Sequence, residues 1–106
     1  MALLGTEILQ RLRENRKAKD PVPVVRLYNP YGKEFFLLVA QDAEDKEKYL
    51  CVCDIGYGPD YGFVTLSTLE DYDNRGIPLV YDEGEVFDKP WGAYLAMARK
   101  HGKIVP

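Results

Sequence analysis

Hydrophobic residues recur along this chain in two rhythms, and the switch between them divides it into elements. Near the start, Leu4, Ile8, Leu9 and Leu12 fall at helical spacing, with Thr6 placed as a cap and Glu7 in the first turn. This predicts a helix from Thr6 to Arg16, followed by cations (Arg16, Lys17, Lys19) where the helix dipole favours them. Asp20-Pro21-Val22-Pro23 stops the helix and opens an extended segment. The spacing then becomes that of strands. Val24 to Tyr28 is β-branched and aromatic, and Asn29-Pro30-Tyr31-Gly32 is a turn with proline second and glycine last. Glu34 to Gln41 holds six apolar residues in a row, as a strand covered on both faces would. Tyr49 to Ile55 predicts a third strand and Phe63 to Leu66 a short fourth.

The helical rhythm returns in the last third. Ser67-Thr68-Leu69-Glu70 matches a capping box, so a short helix from Thr68 to Asn74 is expected, closed by Gly76. Ile77 to Tyr81 is a brief extended piece, with Pro78 suited to a sheet edge. Trp91, Tyr94, Leu95 and Ala98 form one apolar stripe between Asp88 as cap, Pro90 near the first position and Gly102 as closure. The pattern describes a single α+β domain over residues 1–106. It comprises a mostly antiparallel, four-stranded sheet in meander order, with an N-terminal helix, a short helix after strand 4 and a C-terminal helix packed on it.

Composition changes the picture in one respect. No apolar run approaches the roughly 20 residues of a membrane-spanning helix, and the start lacks the basic opening of a signal peptide. A cytoplasmic protein is expected. The net charge of −3 is unevenly spread: residues 41–88 hold 13 acidic against 3 basic residues, whereas 1–40 carry 7 basic against 4 acidic and 89–106 carry 4 basic and none acidic. An acidic middle lies between basic ends.

Candidate chemistry is sparse. Cys51-Val52-Cys53 sets two thiols on one face of a strand. At this spacing a disulfide would be strained, and with His101 as the one histidine the set falls short of four zinc ligands. Two small apolar thiols kept reduced is the plainer reading. Asp71-Tyr72-Asp73-Asn74-Arg75-Gly76 begins like a calcium loop, but Arg75, Pro78 and Asp82 stand where ligands belong. No metal, cofactor or catalytic residue is expected. Gly56-Tyr57-Gly58-Pro59-Asp60-Tyr61-Gly62 is the most unusual segment, a tight loop carrying two tyrosines. It is either a rigid presenter of aromatic rings or a turn whose tyrosines cover the sheet edge. The acidic stretches 42–47 and 81–85 are solvated loops or a surface that steers a basic partner.

Val25-Arg26-Leu27-Tyr28-Asn29-Pro30, then Leu50-Cys51-Val52-Cys53-Asp54-Ile55-Gly56-Tyr57-Gly58, then Tyr61 to Glu70 occur in that order. Together these blocks resemble the bacterial DUF2958 family, with its K-L-F-x-P, C-D-L-G-x-G and G-Y-x-S-L-x-E-L-E stretches. The resemblance spans residues 24–95 and leaves 1–20 as an N-terminal helical extension. Tyr81-Asp82 departs from the Arg-Asp pair of the family pattern. The resemblance implies a small bacterial protein of a kind often carried on mobile elements, and supplies no catalytic residues. The expected function is a non-catalytic protein-interaction module, binding a basic protein partner through Tyr57, Asp60, Tyr61 and Asp54. The reading from another class is a small enzyme or ligand-binding domain using Cys53 and Asp54, with His101. A third is association with nucleic acid through the basic termini.

Overall fold

The computed structural model describes residues 4–102. Its strands are β1 (Val25–Tyr28), β2 (Phe35–Gln41), β3 (Lys48–Asp54) and β4 (Asp60–Thr65). Its helices are α1 (Thr6–Glu14), running into a 3-10 turn at Asn15–Lys17, then α2 (Leu66–Asn74) and α3 (Trp91–His101). The strands form one antiparallel sheet in the order β1-β2-β3-β4, the meander expected from the short connections.

Every residue of β2 is buried, so this strand needs cover on both sides. Phe36 and Leu38 belong to one core with Val25, Leu27, Cys51 and Val64, closed by Leu12 of α1 and by Leu69 and Tyr72 of α2. Phe35, Leu37 and Val52 belong to the other, closed by Tyr94, Leu95 and Ala98 of α3 and by Phe87. Aromatic rings meet in both: Phe36 with Tyr72 at 5.4 Å, and Phe87 edge-on to Tyr94 at 5.5 Å. Helices therefore lie on both faces of the sheet.

Pairing of β2 with β3 slips between Leu38 and Ala40, leaving Val39 as the extra residue of a bulge. The Asn15 side-chain amide compensates. Its Nδ2 donates to the Val39 carbonyl and to the Val22 carbonyl, each at 2.9 Å. One amide thus fastens the end of α1 to the bulge and to the connector leading into β1. At the outer flank of β1, Tyr28 and Val80 exchange both backbone hydrogen bonds at 2.9 Å, so the Ile77–Tyr81 piece pairs with the Tyr28 end of that edge.

Several boundaries differ from the sequence expectation. Gly5, not Thr6, occupies the cap position of α1 and makes no side-chain cap bond. In α2 the cap is Thr65, whose Oγ1 accepts from the Thr68 N–H at 3.2 Å, so Ser67 lies inside the helix and the box it was to form with Glu70 is not made. Pro90, not Asp88, precedes α3, and the Asp88 backbone N–H and carboxylate bond the Tyr94 hydroxyl instead. Gly102 closes α3 in the left-handed region, φ 74°, as expected. The largest difference is β4, which begins at Asp60: pairing with β3 extends the strand through a stretch whose composition resembles a turn.

Two substitutions test this account. Leu37→Ala empties a fully buried site between β2 and α3 and should lower the unfolding free energy by about 2–5 kcal/mol. Asn15→Ala leaves the Val39 carbonyl without its donor and should cost about 1–3 kcal/mol. Urea titration with unchanged slope measures both. An unaltered midpoint in the Asn15 variant would remove the bulge clamp from the account.

Candidate interaction surface

Asp54 ends β3 and shapes the loop between β3 and β4. Its Oδ1 accepts the N–H of Gly56 at 2.8 Å and of Gly58 at 3.3 Å, folding the chain back on itself. Gly56 and Gly58 have φ of 112° and 97°, values that side-chain-bearing residues rarely adopt. Tyr57 rides between them at the tip, 93% exposed. The Asp54 carboxylate is thus engaged within its own loop.

Asp60 and Tyr61, expected on that loop, lie on β4. Tyr61 stands opposite Val52 and Phe63 opposite Leu50, so both rings project from the face that α3 covers. Cover does not reach them fully: Tyr61 is 55% and Phe63 59% exposed. Trp91, the first residue of α3, sits beside Tyr61 with ring centres 5.4 Å apart, and its N–H is held by the Pro21 carbonyl at 3.1 Å. A groove of about 300 Å³ continues the strip between Pro21, Leu50, Phe63 and Trp91. Asp60 Oδ1 accepts from the Tyr61 N–H at 2.8 Å and from Arg99 of α3 at 3.2 Å. Both partners of that ion pair are exposed, so it contributes a few tenths of a kcal/mol.

Of the four residues singled out from sequence, Asp60 and Tyr61 adjoin the aromatic strip, Asp54 shapes the loop and Tyr57 stands apart at its tip. Phe63 and Trp91 were missed as surface residues. Their signal was present: Tyr61 and Phe63 are two apart on a strand, which puts both rings on one face.

The thiols lie in the other core. Cys51 is buried, and its thiol is pushed up by the hydrogen bond it shares with Cys53 and by its burial. The same bond draws the half-buried Cys53 down, against burial and the nearby Asp60 and Asp54 carboxylates. His101 is on the opposite face, lining a depression with Tyr28, Asn29 and Glu34, whereas Cys53 packs with the α1 and α2 core. The structure does not bring Cys53 and His101 together. At the calcium-like stretch, Arg75 Nε donates to Asp71 at 2.8 Å and occupies that carboxylate. Beside β1, Arg26 pairs with Glu85 at 3.1 Å and with Asp82 at 3.9 Å, and Asp82 also receives the Tyr28 hydroxyl at 2.9 Å. That bond, followed by partial burial, raises the Tyr28 phenol. No helix among the described residues is long and apolar enough to cross a membrane.

A four-stranded meander with helices on both faces, distinguished by an aromatic strip at one edge, defines a small α+β domain. The chain belongs to the DUF2958 family, proteins of unknown function, whose model matches residues 3–105. The matched stretch takes in the N-terminal helix as well as the three blocks. Comparison with curated proteins and with solved structures finds no match.

The two thiols should separate in a labelling experiment. In native protein iodoacetamide should alkylate Cys53, while Cys51 reacts only after denaturation, as peptide mass mapping would show. Equal rates at both positions would contradict the burial of Cys51.

Proposed function

We propose that this protein is a non-catalytic protein-interaction module whose contact surface is the aromatic strip of β4 and α3, with the Tyr57 loop at its margin. One observation carries the reading: Tyr61 and Phe63 stand more than half exposed on a sheet face, side by side with Trp91. Contiguous exposed apolar surface of this kind marks interaction sites, and aromatic side chains supply most binding hot spots. Although residues 41–88 hold 13 acidic against 3 basic residues, the groove that continues the strip is lined by Arg16 and Lys19 beside Asp42, so the charge around the strip is mixed. Asp54 contributes by holding the loop that presents Tyr57, and Asp60 by linking β4 to α3 through Arg99. The thiol reading gains no comparable support, since Cys53 and His101 lie on opposite faces.

A photo-reactive amino acid placed in turn at positions 57, 61 and 63 tests the reading. Cross-linking to a protein should occur from 61 and 63 and fail from Lys100, an exposed position elsewhere on α3. With the probe at 57, Tyr61→Ala and Phe63→Ala should each reduce the yield at least tenfold, the effect of removing an anchor worth about 2 kcal/mol, without a large change in melting temperature. Equal yields from all positions, or no effect of the alanine variants, would overturn it.

A further inference from the structure

The outer flank of β4 has a defined hydrogen-bonding polarity. On an antiparallel strand, successive residues direct their N–H and C=O groups to alternate sides. Tyr28 turns both outward to Val80, so Leu27 faces β2 and is answered by its register partner Phe36. Phe35 and Leu37 then face β3, and their partners Asp54 and Val52 face β2. Lys48 has the same parity, and its carbonyl does accept from the Asp42 N–H on the β2 side, at 2.8 Å. Cys51 and Cys53 therefore face β4, where they meet Gly62 and Asp60. The backbone groups of Tyr61 and Phe63 remain, directed away from the sheet. In keeping with this, the Tyr61 N–H bonds its neighbour's carboxylate rather than β3.

The outward-facing stretch is bounded at both ends. Pro59 has no N–H to donate, and after Thr65 the chain enters α2. Between these stops lie residues 60–64, centred on Gly62. We propose that β4 pairs with the β4 of a second copy of this chain, antiparallel about a two-fold axis at Gly62, joining two sheets into one of eight strands. The inference rests on the reading of the aromatic strip as a contact surface, and names its partner.

The register follows from the parity. With Gly62 opposite Gly62, Tyr61 stands opposite Phe63 of the copy, and this pair occurs twice. Each pair exchanges both outward backbone bonds, the Tyr61 N–H giving up the Asp60 carboxylate for the copy's Phe63 carbonyl, and sets its two rings next to each other on the α3 face. Centring on Tyr61 instead would put Phe63 against Pro59. Centring on Phe63 would put Tyr61 against Thr65, the cap of α2. A half-step shift would set outward groups against groups already bonded to β3, with the rings on opposite faces. The Gly62 register also places the Asp60 end of each strand beside the start of the copy's α2, whose first turn holds no acidic residue. A carboxylate is favoured at that positive end of a helix dipole, and the two-fold axis makes the match twice. Within the stretch there is no lysine, proline or bulge to deter pairing. A few half-exposed rings bury less than a standard interface, so the association should be of micromolar strength.

Substitution at the axis tests this directly. A β-carbon built at Gly62 meets nothing within 4 Å among the described residues. In the proposed ladder the two Gly62 residues form a non-hydrogen-bonded pair with α-carbons about 4.5 Å apart, within disulfide reach. Gly62→Cys treated with diamide, which takes up the two electrons and two protons, should give a disulfide-linked dimer. Wild type, with Cys51 and Cys53, and Ser67→Cys should not. Sedimentation equilibrium of wild-type protein should show a monomer–dimer equilibrium across the micromolar range, and Phe63→Lys should shift it to monomer with an unchanged circular dichroism spectrum. Monomer at every concentration, or a Gly62→Cys variant that folds and does not cross-link, overturns the second copy as partner. In that case, cross-linking from positions 61 and 63 to a different chain would still uphold the contact surface itself.

Discussion

A strand that presents apolar side chains to both of its faces cannot end a two-layer fold, and β2 is such a strand. Its seven residues are all buried, which obliges the chain to supply helices above and below. α1 precedes the sheet and α3 follows it, so the two covers come from opposite ends of the sequence, on either side of a meander that needs only short turns. Interior aliphatic side chains contribute roughly 1.5–3 kcal/mol each when fully buried, and Leu37, Leu38 and Val39 reach full burial only because both helical layers are in place. The Asn15 amide belongs to the same requirement, since it gives the bulged part of β2 the hydrogen bond its pairing with β3 omits.

Most of this architecture was readable from the spacing of apolar residues. The unbroken run of β2, the stripe Tyr94, Leu95 and Ala98 on α3, and the closure at Gly102 follow from side-chain periodicity and from the conformation that glycine alone adopts easily. What escaped was settled by tertiary pairing or by competition among equivalent groups. Thr65, Ser67 and Thr68 all carry hydroxyls able to cap α2, and the register of β4 on β3 decides that the helix starts after Thr65. The start of β4 was hidden for a related reason. Gly58, Pro59 and Gly62 have turn composition, but β3 offers a ladder that Asp60, Tyr61 and Gly62 join despite it.

This strand boundary also explains which part of the candidate site was foreseen. Tyr57 and Tyr61 look equivalent in the sequence, each between glycine or acidic neighbours. Once the strand starts at Asp60, Tyr61 acquires a fixed direction and aromatic neighbours, and Tyr57 keeps only the loop that Asp54 holds in shape. Trp91 could be assigned to an apolar stripe from its spacing, but nothing in the helical pattern reveals that α3 ends its cover short of β4.

The two flanks of the sheet are unlike. The segment from Ile77 to Phe87 runs along the β1 side, bonds Tyr28 through Val80, and places Leu79 in one core and Phe87 in the other. That segment takes up the Tyr28 end of the flank, and its Asp82 and Glu85 carboxylates hold Arg26. A molecule with both flanks bare could add neighbours without limit, as strands do in fibrils. With the β1 flank obstructed by this segment at Tyr28, edge-to-edge joining at β4 uses the other flank and growth stops at two. Phe87, by anchoring the strap, would in this way set an upper limit on assembly from the side of the domain that takes no part in it.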